Sequence, residues 1–322
     1  MSTSKVGRRS FLRAAGIAAL AGAPVLHTGD AEAQVAVPNS AGTDLPKLRA
    51  PADAADCHMH IYDPARFDMP SSARVAPSNA TVAEYRLLQE RIGTSRVVVV
   101  QPRNYSILND VTVDAIKQLG PNSRGVAVVH PSITDAELKR LDDAGIRGIR
   151  FSLGDPATAV VAPDMVEPLA RRIAPLGWHI QFNMPGAMIV GMADVLDRLP
   201  AEMVFDHLGR PGPEGTNHPS HAVVRRLVDA RRAWVKVSGA YANSRTGPPY
   251  MEATVIAQAF VRAAPERLVW GSDWPHPSES DDDKPNDALL FDLLSIWAPD
   301  EAVRQRILVE NPENLYGFAK LG

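Results

Sequence analysis

From residue 54 onward, short runs of β-branched and apolar residues alternate with stretches of helical periodicity, and they do so eight times. No other feature constrains the chain as much, because parallel strands need a crossover between them and a helix is the usual one. Strands are predicted at Ala54–His60, Ser95–Gln101, Arg124–His130, Ile146–Ser152, Trp178–Asn183, Glu202–His207, Ala233–Ser238 and Arg267–Ser272. Helices are predicted at Thr81–Ile92, Val111–Leu119, Thr134–Ala144, Pro163–Leu176, Met188–Leu199, His221–Arg231, Met251–Ala264 and Asn286–Trp297. A last segment from Asp300 to Tyr316 closes the chain. Eight such pairs predict an α/β fold of the (β/α)8 barrel type over residues 51–322, as a single domain. The open dinucleotide-binding sheet is disfavoured, since the first strand ends in His58-Met59-His60 where a Gly-rich fingerprint would stand.

A barrel places functional residues at the C-terminal ends of its strands. Residues two apart on a strand share a face, so His58 and His60 project together, in a manner suited to a metal ion or to proton transfer. The second strand delivers Gln101 and Tyr105 to the mouth, the sixth His207 and then Arg210, the seventh Ser238 and the eighth Asp273. The fourth, Gly145-Ile146-Arg147-Gly148-Ile149-Arg150-Phe151, carries a charge inside an apolar run. Arg150 is therefore either half of a buried ion pair or an anchor for a substrate carboxylate. On the fifth strand His179 falls early, toward the stabilising end, which leaves Gln181 and Asn183 as pocket candidates.

The chain has 322 residues with a net charge of −3, a balance without the basic footprint of nucleic-acid or anionic-membrane binding. No internal repeat points to a solenoid or propeller. The start reads as an address. Arg8-Arg9-Ser10-Phe11-Leu12-Arg13, a weakly apolar stretch from Ala14 to Leu26, and Ala31-Glu32-Ala33 together predict a twin-arginine export signal over residues 1–33. The apolar stretch is too short to span a bilayer, so stable membrane association is not expected. The expected partner is the twin-arginine translocation machinery, and the expected location is the periplasm. Cys57 is the only cysteine, which rules out an internal disulfide. Residues 34–50 read as a flexible leader.

Three motifs, Asp56-Cys57-His58-Met59-His60, Asp206-His207-Leu208-Gly209-Arg210-Pro211 and Gly271-Ser272-Asp273-Trp274-Pro275-His276, resemble those of the amidohydrolase superfamily. The branch is amidohydrolase family 2, in its 2-pyrone-4,6-dicarboxylate lactonase-like group, and the resemblance covers roughly residues 50 to 322. It implies a (β/α)8 barrel and a hydrolase that opens a small carboxylated or sulfonated lactone. In that reading His58, His60 and His207 polarise the ester carbonyl and Asp273 is the general base toward water. Arg150 and Arg210 hold the substrate's anionic group, with Gln101, Tyr105 and Ser238 as further hydrogen-bonding candidates. The resemblance implies either no obligatory metal or one divalent zinc ion on His58, His60 and Asp273. The seventh-strand loop has Tyr241-Ala242-Asn243 where relatives often carry an arginine, which argues against a dicarboxylate pyrone itself. The alternatives are a sugar-acid lactone isomerase, a metal-dependent decarboxylase and a non-catalytic exported binding protein. The oligomeric state is left open, homo-oligomers being common among such barrels.

Overall fold

The computed structural model describes residues 35–70, 77, 80–154 and 160–320; the predicted export signal lies outside the described residues. Eight parallel strands run in chain order: β1 (Ala55–Met59), β2 (Arg96–Val100), β3 (Ser123–Ala127), β4 (Ile146–Ser152), β5 (His179–Asn183), β6 (Met203–Phe205), β7 (Ala233–Val237) and β8 (Leu268–Trp270). Between and after them lie α1 (Val82–Ile92), α2 (Asp110–Leu119), α3 (Asp135–Asp143), α4 (Val166–Ile173), α5 (Gly186–Gly191), α6 (Ala193–Leu196), α7 (Pro219–Asp229), α8 (Met251–Ala263) and α9 (Asp287–Trp297). Just beyond β8 the ring closes on β1, where Asp273 N–H donates to His58 O and His60 N–H donates to Trp274 O, each at 2.8 Å. The molecule is a (β/α)8 barrel.

Most strands end before their predicted polar residues. The backbone turns out of the ladder there, and His207 and Asp273 adopt left-handed φ of 50° and 64°. The helix predicted over Met188–Leu199 begins earlier and breaks at Met192, giving α5 and α6. Local signals fix other ends: the Thr134 hydroxyl accepts the Glu137 N–H at 3.1 Å at the start of α3, and Gly93, at φ 87°, stops α1.

The barrel interior has two storeys. The lower one is apolar, built from Ala55, Cys57, Val98, Val100, Val126, Val204, Trp234 and Val269 and closed from below by Tyr316 and Phe318. Each fully buried valine there contributes about 1.5–3 kcal/mol. His179 belongs to this storey, its ring edge-on to Tyr316 at 5.3 Å. Gly148 makes the room, since a Cβ there would come within 2.5 Å of the imidazole. Outside the strands a larger apolar layer packs the helices onto the barrel.

The expected flexible leader does not float. Val37 is buried, Trp274 Nε1–H donates to Pro38 O at 2.7 Å, and the Arg91 guanidinium binds Asp44 O, Ser40 Oγ and Asn286 Oδ1 at 2.9–3.2 Å. Leu48 N–H donates to Asp292 of α9 at 2.8 Å. Residues 35–50 are a strap on the barrel, and the compact unit begins at Val35 instead of residue 51. A composition rich in Pro, Asn, Ala and Gly suggests mobility, whereas specific backbone carbonyls tie the segment down.

Candidate active site

The phase of β1 decides what reaches the mouth. Ala55 and Cys57 face the interior, while Asp56 faces outward, accepting from Tyr85 Oη of α1 at 3.1 Å and from Ser272 Oγ at 2.6 Å. Strict alternation would send His58 outward after Asp56. A register shift between Asp56 and Met59 inserts one residue against β2 and resets the phase. His58 and His60 consequently both turn inward, their Nε2 atoms 3.3 Å apart.

Three other chain segments bring groups to the same point. Asp273 Oδ1 lies 3.4 Å from His58 Nε2, 3.5 Å from His60 Nε2 and 3.8 Å from His207 Nε2. Its Oδ2 accepts from Tyr241 Oη at 2.5 Å. Tyr241 Oη is also 3.0 Å from His276 Nδ1, and His276 Nε2 is 3.1 Å from the buried carboxylate of Asp287. The outer nitrogens of two imidazoles are engaged. His60 Nδ1–H donates to Val100 O at 2.8 Å, and His207 Nδ1 is 3.0 Å from Ser238 Oγ. Gly239 is required beside His207, because a Cβ there would approach Nδ1 to 2.5 Å.

Beneath the imidazoles lies a buried charged layer. Arg150 Nε–H and Gln181 Nε2–H donate to Asp206 Oδ2 at 3.0 and 3.1 Å. Lys236 Nζ donates to Gln181 Oε1 and Cys57 O, both at 2.8 Å, and lies 3.3 Å from His58 Nδ1. Arg150, Gln181, Asp206 and Lys236 are all under 5% exposed.

Burial disfavours the charged form of Asp273, yet the facing imidazoles of His207, His60 and His58 outweigh it and hold the carboxyl well below the usual range. Burial, then the Lys236 charge, push His58 well below an ordinary histidine, and burial lowers His207 as well. Burial draws Lys236 down to about 8, with Asp206 opposing. The site is thus a buried carboxylate facing three imidazoles, an arrangement able to take a proton from water and to polarise a carbonyl.

His58, His60, His207 and Asp273 converge. Ser238 orients His207, and Arg210 stands at the rim, donating to Asn183 Oδ1 at 3.0 Å. Two predicted residues are elsewhere. Gln101 follows the outward phase of Val97 and Val99, accepts from Thr112 of α2 at 2.6 Å, and donates to Ser106 O and Leu108 O. It holds the loop after β2. Tyr105 is 1% exposed and its hydroxyl accepts the Asp63 N–H at 3.0 Å, a core contact. Arg150 resolves toward the ion pair, through Asp206. Lys236, Asp206, Tyr241 and His276 were not predicted, although Lys236 breaks an apolar strand just as Arg150 does.

The sequence profile of the amidohydrolase family matches residues 55–318. The chain belongs to that family. This amidohydrolase is 35% identical to a 2-pyrone-4,6-dicarboxylate hydrolase of Comamonas testosteroni, over 86% of its own length and 94% of the relative's. It is 32% identical to a 4-sulfomuconolactone hydrolase of Rhizobium radiobacter, over 83% and 91%. It is also 30% identical to a D-galactarolactone isomerase of Agrobacterium fabrum, over 84% and 93%. A ligand-free crystal structure of an Agrobacterium tumefaciens protein superposes with a TM-score of 0.80 at 29% identity, covering 88% of this chain and 99% of that one.

Among the described residues, His58, His207 and Asp273 form a buried group whose ligand atoms lie within 4.8 Å of one another. His60 Nε2 stands 3.3 Å from His58 Nε2 and 3.5 Å from Asp273 Oδ1, while Asp273 Oδ1 lies 3.4 Å from His58 Nε2 and 3.8 Å from His207 Nε2. Around a tetrahedral zinc with bonds of about 2.0–2.1 Å, neighbouring ligand atoms lie about 3.3–3.4 Å apart. In donor type the residues fit a zinc ion, and His58, His60 and Asp273 stand at close to that spacing.

Proposed function

We propose that this amidohydrolase hydrolyses a small anionic lactone. The observation that carries the reading is the ionised Asp273 carboxylate buried among three imidazoles at the barrel mouth, with Arg210 at the rim. Its relatives include two enzymes named for lactone hydrolysis.

Asp273 accepts a proton from the attacking water and returns it to the ring oxygen as the ester bond breaks. Tyr241 fixes Oδ2, which leaves Oδ1 as the reacting oxygen. The imidazoles of His58, His60 and His207 surround the carbonyl, and Ser238 sets the ring of His207 toward it. Arg210 binds the substrate's carboxylate or sulfonate and so fixes the carbonyl against the water. Arg150 adds its field from below, largely answered by Asp206. Bound on His58, His207 and Asp273, with His60 adjacent, zinc would supply Lewis-acid polarisation of the carbonyl.

The relative named as a lactone isomerase supports a second reading, in which the same base moves an acyl group or a proton without consuming water. A panel of sugar-acid, muconolactone-type and pyrone carboxylates separates the two. Hydrolysis gives proton release at constant pH and a product heavier by one water. Isomerisation gives a new lactone of unchanged mass and no proton, and would replace the hydrolytic reading. Export to the periplasm is part of the proposal and rests on Arg8-Arg9 with the Ala31-Glu32-Ala33 pattern. Replacing both arginines by lysine is expected to retain the protein inside the cell, as fractionation would show.

A further inference from the structure

Lys236 lies directly under the imidazole ring, and the hydrogen-bond assignments around it are unusually constrained. An ammonium group has three hydrogens and no acceptor capacity. Two of the three are committed at 2.8 Å, to Cys57 O on β1 and to Gln181 Oε1 on β5. The third faces His58 Nδ1 at 3.3 Å. Asp206 Oδ1, 3.8 Å from Lys236 Nζ, lies at the same 3.3 Å from His58 Nδ1 and is the alternative partner for that nitrogen. An ammonium hydrogen can meet Nδ1 only if that nitrogen offers its free electron pair, in place of a hydrogen toward the aspartate.

A neutral imidazole carries one hydrogen. If Nδ1 accepts from Lys236, that hydrogen sits on Nε2, the atom facing His60 Nε2 and Asp273 Oδ1. A metal ion needs the opposite arrangement: Nε2 must offer its electron pair, and Nδ1 must carry the hydrogen toward an acceptor. Asp206 Oδ1 is that acceptor and stands ready. Lys236 opposes the exchange, both through its hydrogen bond and through its charge.

We infer that Lys236 is a positioning residue that fixes the His58 tautomer and thereby sets the zinc affinity of the site. With Lys236 present, His58 presents an N–H to the mouth and works as a hydrogen-bond donor. Without it, the same side chain becomes a ligand whose ring is oriented by Asp206. The inference concerns which form of the imidazole the barrel selects, and it holds whatever ring the enzyme opens.

The test titrates zinc into the full chain against a chromophoric chelator, for the wild type, Lys236→Met and Asp206→Asn. A hydrogen bond to a charged group is strong enough that its loss in Lys236→Met is expected to tighten zinc binding by about tenfold to a hundredfold. Asp206→Asn keeps the lysine bond and removes the waiting acceptor, so it is expected to bind zinc no more tightly than the wild type. Unchanged or weaker binding by folded Lys236→Met overturns the inference. An equal gain in Asp206→Asn overturns it as well, because mere loosening of the buried layer would then explain both. The histidine 15N shifts of the unmodified protein give a reading that depends on no variant. A hydrogen on His58 Nε2 supports the inference, and one on Nδ1 refutes it.

Discussion

The two storeys of the barrel interior are enclosed by the same eight strands and are both almost fully buried, yet they are built by opposite rules. Below, valines, Trp234, Tyr316 and Phe318 fill space, and His179 serves as another ring, with neither nitrogen hydrogen-bonded. Above, Arg150, Asp206, Lys236 and the imidazoles leave few polar atoms idle, and each takes its orientation from a neighbour. Packing tolerates a range of shapes at similar volume, whereas a hydrogen-bonded cluster works in one arrangement. The lower storey should therefore govern whether the protein is folded, and the upper one what it does.

Asp273→Asn is the sharpest attempt to break that division. Turnover is expected to fall by about 10²–10⁴-fold, the usual share of a general base, with the thermal midpoint nearly unchanged. Steady-state rates beside a melting curve decide it, and an active variant would remove Asp273 from its role. Tyr316→Ala makes the converse case. Losing a fully buried aromatic from the floor is expected to cost about 3 kcal/mol or more in urea unfolding, with kcat of the folded fraction preserved.

Tyr241→Phe sharpens the comparison within the upper storey. Losing the hydroxyl that holds Asp273 Oδ2 is expected to lower kcat by about tenfold, leave KM within about twofold, and shift stability by about 1 kcal/mol. An unchanged kcat would reduce Tyr241 to packing.

The smallest effect is on pH dependence. Burial, then the Lys236 charge, bring His179 down to about 3, and His58 and His207 are lowered too. Below the ordinary histidine value of about 6.5, the unfolded chain binds protons that these folded imidazoles refuse, so stability falls as pH drops. Burial raises Asp56 to about 6, and this acts in the opposite direction, since the folded state holds that proton between about 6 and 3.8. Three imidazoles against one carboxyl leave a net loss. His179→Leu should flatten the fall in melting temperature between pH 6.5 and 4, and an unchanged slope would show that its burial has no such cost.

The barrel was legible because each strand and helix announces itself locally, and because the barrel puts strand ends at the mouth. That is how His58, His60, His207 and Asp273 were found together. What failed was phase. Gln101 is one residue past Val100, and a single step changes the face on which a side chain falls. The same sensitivity makes the shift before Met59 decisive, and nothing in Asp56-Cys57-His58 announces it. Lys236 was readable in principle, since Ala233-Trp234-Val235-Lys236-Val237 carries the same signal as Arg150: a charge where both faces of the strand are buried. Tyr241 and Asp287 join the Asp273–His276 turn only through tertiary folding, and no local pattern records that.

The strap gives the outside of the molecule a grip on its reacting carboxylate. Ser40 Oγ accepts the Asp287 N–H at 3.2 Å, and from Asp287 the contacts run through His276 and Tyr241 to Asp273. Pro38 anchors Trp274, the next residue after Asp273. A chain begun at residue 51 would keep every strand and lose both anchors at once. Where an engineer trims this protein is therefore a choice about its chemistry as well as its packaging, and residues 35–50 are a place to tune the base without touching the pocket.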